Sequence, residues 1–236
     1  MDVVSKLELH YYFQDSSHSM DAYIRNKCEA ELLALIKEVS AITGLEVSLD
    51  AEALREGGLR NVWKVLGKNS TQILVIIAIL TLILQIIQYS DSRDEMDEEL
   101  KKLSIEEKKL SIEKLKKEIE AGNPNNKTIK EAANSINNDF KILTRKSNFY
   151  KQLDNYEKVT KLGISSLNSE NTPINQEVVI EKESFYKYIL TTNELQDVVD
   201  ENAEIEIVSP VIVEGKYKWK GIYQDRSEER RVGKEC

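Results

Sequence analysis

Residues Thr71–Tyr89 read "TQILVIIAILTLILQIIQY", with twelve Ile, Leu or Val and no charged side chain. As an α-helix these 19 residues extend roughly 28 Å at about 1.5 Å each, close to the roughly 30 Å hydrocarbon core of a bilayer. The aliphatic side chains favour insertion by roughly 4 to 7 kcal/mol, and Gln72, Gln85 and Gln88 lie near the ends, where a polar group costs least. A helix buried in a protein core is the competing reading. Such helices are usually shorter and carry a polar face, which this run lacks. The stretch therefore predicts a single-pass transmembrane helix, and with it an integral protein of a bacterial inner membrane.

Lysines and arginines near the span set its orientation, and here they nearly tie: Arg55, Arg60, Lys64 and Lys68 before it, Arg93, Lys101 and Lys102 after it. A folded unit ahead of the first span is easier to leave behind than to translocate, so the N-terminus is placed on the cytoplasmic side. The opening "MDVVSKLELHYYF" has no basic region followed by an apolar run and a cleavage site, so it is not a signal peptide.

Working toward the N-terminus, Leu7, Leu9, Tyr11 and Phe13 alternate with Glu8, His10 and Tyr12, the period of a strand. "DSSHS" breaks it, Ser17 or Ser19 can cap the following helix, and Asp21 sits in its first turn. Ile24, Cys28, Leu32, Leu35, Ile36, Val39 and Ile42 recur at three and four, giving an amphipathic helix that stops at Gly44. "LEVSLD" alternates again. After "REGG" a short helix is expected to carry Leu59, Val62, Trp63 and Leu66 up to the membrane. This β-α-β-α domain over residues 1–67 is small for independent stability, which points to self-association or another partner surface.

Beyond the apolar run neither Gly nor Pro occurs until Gly122, so the spanning helix is expected to continue into a helical stalk over residues 90–122. "KKLSIE" begins at Lys101 and again at Lys108, a heptad apart. That repeat suggests a short coiled coil, with Leu103, Leu110, Ile112, Leu115 and Ile119 as candidate oligomerisation residues of a homo-oligomer. A helix packed on the downstream domain and a solvated helix held by Glu–Lys pairs are the alternatives.

"GNPNN" at residues 122–126 ends the helix, and a C-terminal α+β domain is expected over residues 128–225. Its helices carry Ile129, Ala132, Ala133 and Ile136, then Phe149, Leu153, Tyr156 and Val159. "QEVVIE" reads as a strand, "ESFYKYIL" as a short helix, and "AEIEIVSPVIVEGKYKWKGIY" as a strand pair turning near Glu214. The last eleven residues, "RSEERRVGKEC", read back into codons as the adapter ligated to DNA fragments for short-read sequencing. Arg226–Cys236 is therefore set aside as not native, and the native frame is expected to continue past Asp225.

The fold class is thus α+β, in two small domains joined across a bilayer by one helix. A net charge of −8 argues against a general nucleic-acid binder. With Cys236 set aside, Cys28 alone can build neither a disulfide nor a thiolate zinc site, and it belongs to an apolar stripe. Ser17, His18, Ser19 and Asp21 are adjacent in a turn, where side chains seldom aim at one another as nucleophile, base and orienter; capping explains them better. His18 with Asp15 or Asp21 falls short of a metal ligand set, and no cofactor motif is present. Lys216, Lys218, Lys220 and Trp219 are candidates for polyanion contact, although the same alternation suits a strand with one wet face. The function expected from these features is a membrane-anchored, non-enzymatic interaction or scaffold protein with a protein partner. A tethered enzyme completed beyond Asp225 and a tethered nucleic-acid binder are the alternatives.

Overall fold

In the computed structural model the described residues are 4–15, 19–52, 59–87, 98–190, 205–209, 220–223 and 226–229. The chain divides into two compact units, residues 1–192 and 193–236.

Unit 1 is built on β1 (Lys6–Phe13), the middle strand of a five-stranded antiparallel sheet. Its neighbours are β3 (Leu59–Gly67) and β4 (Val159–Leu167). The edges are β2 (Val47–Ala51), beside β3, and β5 (Val178–Glu181), beside β4. Residues expected on opposite sides of a bilayer therefore lie in one sheet, which overturns the two-domain fold class. Leu59–Leu66 is a strand, not a short helix, because Leu59, Trp63 and Val65 share the face of Leu7, Leu9 and Tyr11 by register. Polar Asn61 on that same face masks the alternation.

The helices supply the cover. The first, α1 (Ala22–Thr43), buries Cys28, Leu32, Leu35, Ile36 and Val39. Its cap is Asp21, whose carboxylate accepts from the amides of Tyr23 and Ile24 at 2.8 and 3.0 Å. It ends at Gly44, left-handed at φ 67°.

The apolar run forms α2 (Ser70–Gln85), 16 residues capped by Asn69 and ended by extended backbone at Ile86. At about 1.5 Å per residue it is roughly 24 Å long. Among the described residues no helix is long and apolar enough to cross a membrane. The transmembrane helix, the integral-membrane location and the unbroken helix into a stalk are corrected accordingly. The run lacks a polar face because it is covered from several directions: α2 packs on β3 and β4, on α1, and on α4 (Asn126–Asn137). Val75, Ile76, Ile77, Ile79, Leu80, Ile83 and Leu84 are all buried.

Its C-terminal carbonyls, which a helix leaves without internal partners, are met by α5 (Phe140–Asp154). The Tyr150 hydroxyl donates to Leu84 O at 2.6 Å, and Lys146 Nζ donates to Ile86 O at 2.9 Å and to Asn137 at the end of α4. Lys146 is fully buried, and desolvation lowers its ammonium to about 7.

The stalk residues form α3 (Glu98–Glu120), packed along α4. Ile112, Leu115 and Ile119 are buried within the chain, whereas Leu110 and Ile105 remain exposed. The coiled-coil reading is corrected in favour of a helix packed on the downstream elements. A Lys108–Asp139 ion pair at 2.6 Å fastens α3 to the cap of α5. After β5 a 3₁₀ helix, Lys182–Tyr188, sets Tyr188 in a stack on Tyr150, ring centroids 4.4 Å apart.

In unit 2, β6 (Ile205–Ser209) pairs antiparallel with β7 (Lys220–Tyr223), and β7 with β8 (Arg226–Glu229). The residues set aside on codon grounds thus include a strand.

Candidate functional site

Period-two alternation gives β1 two working faces. Leu7, Leu9 and Tyr11 go to the helices, so Lys6, Glu8, His10 and Tyr12 must share the other side, and Lys6, Glu8 and His10 are buried there too. Buried charges need partners, and each has one. Lys6 pairs with Glu52 and donates to Asn171 Oδ1 at 2.8 Å. The Glu8 carboxylate accepts from Arg60 Nη1 at 2.9 Å. Tyr12 donates its hydroxyl to Glu177 Oε2 at 2.6 Å, and His10 Nδ1 lies 3.5 Å from Glu177 Oε1.

Register places His10 between Arg60 on β3 and Gly163 on β4. The Glu177 carboxylate lies on Gly163, where a Cβ would collide with its Oε1 and Cδ. The imidazole also rests on Tyr12, ring centroids 3.9 Å apart. Glu177 and Asn171 belong to the segment between β4 and β5. That segment is shaped by Asn168, whose Oδ1 accepts from the amides of Glu170 and Thr172, and by Asn171 in the left-handed region. Ile174 N then returns to Ser166 O at 2.9 Å. The segment thus reaches Lys6 at one end of β1 and His10 with Tyr12 at the other.

The electrostatics follow from these contacts. Desolvation and the adjacent Arg60 lower the His10 pKa, and Glu177 opposes them. The imidazole is therefore neutral near pH 7. Burial and the bond to Glu177 push the Tyr12 phenol up to about 12, so it stays a donor. Of the twelve buried side-chain atoms without a hydrogen-bond partner among the described residues, three meet here: Arg60 Nε, and His10 Nδ1 and Glu177 Oε1, which face each other at 3.5 Å without forming a hydrogen bond. Arg60 and Glu177 keep 33% and 27% of their side chains exposed, so this end of the face is open to solvent.

Of the residues singled out in the sequence, Ser17, His18, Lys216, Lys218 and Trp219 lie outside the described residues, as does the side chain of Leu103. Lys220 begins β7. Ser19 contributes its carbonyl to Lys158 Nζ at 2.8 Å, while Asp15 lies 3.4 Å from the same ammonium. Cys28 is buried, its thiol pushed up to about 12 by desolvation. Among the described residues no three His, Cys, Asp or Glu side chains gather where a metal ion could be held. Arg60, Gly163 and Glu177 carry no sequence signal of their own, except that an isolated glycine inside "TKLGISSL" marks a close approach to a strand.

Compared with models of protein families, with curated proteins and with solved structures, the chain matches none.

Proposed function

We propose that this chain binds a small polar ligand on the face of its sheet opposite the helices, at the end of β1 that holds His10 and Tyr12. The observation carrying this reading is a set of buried polar atoms, on three separate elements, that make no hydrogen bond among the described residues: Arg60 Nε on β3, and His10 Nδ1 on β1 with Glu177 Oε1 ahead of β5, which face each other at 3.5 Å. An unpaired buried donor or acceptor costs about 1 to 3 kcal/mol, so native folds rarely keep several together without a use. Stability alone would favour apolar side chains at such positions, since buried ion pairs contribute little net stability. The set combines donor and acceptor capacity in one patch, which suits recognition of a polar group.

The test is an NMR titration of the full chain with sodium formate, acetamide and guanidinium chloride, an anion, a neutral amide and a cation. His10 is one of only two histidines, so its ring signals are readily assigned. The expected result is a saturable shift of the His10 ring and Arg60 Nε signals with at least one probe, abolished by Arg60→Gln. Linear, non-saturating drift with all three would overturn the reading.

A further inference from the structure

We infer that the ligand is a carboxylate, and that the chain's own Glu177 occupies the position such a ligand would take, as a plug that is displaced on binding. This rests on the binding reading above and gives it a ligand class.

The Glu177 carboxylate sits where β4 has no side chain. Gly163 leaves it a seat directly on the strand, at the cross-strand position of His10. The seat is furnished by the Tyr12 hydroxyl at 2.6 Å and the His10 ring at 3.5 Å, with the Arg60 guanidinium on the other side of His10, on β3. The plug fills it incompletely. Oε2 accepts from Tyr12, whereas Oε1 falls short of a hydrogen bond with His10 and Arg60 Nε donates to nothing among the described residues. Glu177 is held by its chain, immediately before Val178 enters β5 opposite Ile164. A free carboxylate has no such constraint and can bring both oxygens to the donors.

Charge balance favours a monoanion such as a carboxylate over a dianion. Glu8 already accepts from Arg60 Nη1, and Lys161, the neighbour of Tyr12 across the strands, pairs with Glu181 at 3.0 Å. Exchanging one monoanion for another leaves this balance unaltered. A dianionic phosphate would add a charge near Glu8, whose Arg60 partner is already engaged.

The experiment is rescue of Glu177→Ala, full chain, by sodium formate, with sodium chloride at equal ionic strength as control. Formate is expected to raise the melting temperature of Glu177→Ala saturably by several degrees, and that of the parent chain by much less. Tyr12→Phe in the Glu177→Ala background is expected to remove the rescue. If Glu177→Ala does not fold, Glu177→Gln replaces it, with formate expected to shift the His10 ring signals at a concentration at least tenfold below that needed by the parent. Equal effects of formate and chloride, or rescue that survives Tyr12→Phe, would overturn the carboxylate assignment. Acetamide or guanidinium shifting His10 while formate rescues nothing rejects the carboxylate and leaves the binding reading standing. Silence from all probes rejects both.

Discussion

The two faces of β1 are almost equally hidden and are held by different forces. Leu7, Leu9 and Tyr11 are 0%, 0% and 1% exposed; Lys6, Glu8 and His10 are 5%, 3% and 6%. On the first face burial is itself the stabilisation, because apolar surface leaves water. On the second it is a cost, offset by Glu52, Arg60 and Glu177, with little net gain. The first face therefore accounts for why unit 1 folds. The second is where its use is to be sought.

The largest expected effect concerns a cation placed on the apolar side. Lys146 has a folded pKa of about 7 against 10.5 for an ordinary lysine. Below pH 7 both states are protonated, and the folded chain bears the full cost of a buried ammonium. Between pH 7 and 10.5 the unfolded chain holds a proton that the folded chain has released, so stability rises with pH across that window. The gain is on the order of 4 kcal/mol. Urea denaturation at pH 7 and pH 10 should show it in the parent chain and not in Lys146→Met; parallel pH dependence in the two would sink the prediction.

Next in size is Leu9→Ala, which empties a fully buried position at the centre of the sheet. It should cost about 3 to 4 kcal/mol, read as a lowered urea midpoint with unchanged slope. A loss under 1 kcal/mol would mean that the apolar face is not the source of stability.

Smallest is Gly163→Ala on the polar face. The three atoms nearest its Cβ all belong to the Glu177 side chain, which can swing away at the expense of the Tyr12 bond. The expected cost is about 1 to 2 kcal/mol, together with a return of the Tyr12 phenol toward its ordinary pKa of 10.0, followed by ultraviolet titration. A loss as large as that of Leu9→Ala would erase the distinction between the faces.

Much of the local structure is legible in the sequence. The alternation at Leu7–Phe13, the stripe from Cys28 to Val39, the stop at Gly44 and the linker at Gly122 all have their counterparts in the structure. What hides the fold is that both neighbours of β1 escape notice. Leu59, Val62, Trp63 and Leu66 have helical spacing as well as strand burial, and Asn61 interrupts the alternation on the core face. Val159 extends the helical rhythm of Phe149 and Leu153, although α5 ends at Asp154 and Val159 opens β4. With β3 and β4 unseen, β1 has no partners, and an all-round apolar helix has nothing to cover it but lipid. The site is less legible still, because His10, Arg60 and Gly163 meet only through strand register and Glu177 reaches them from the segment ahead of β5, 167 positions from His10.

The capping of α2 by α5 has a consequence for biosynthesis. Tyr150 and Lys146 close the end of a helix whose last residues leave the ribosome well before them. At roughly 5 to 20 residues per second, roughly 3 to 13 s separate Ile86 from Tyr150. When that interval begins, α1 and β3 are the parts of its cover already synthesised, and the sides that α4 and β4 will meet are still bare. Completion of the carbonyl bonds at the end of α2 therefore waits on the synthesis of α5, and completion of its cover on that of β4, which follows.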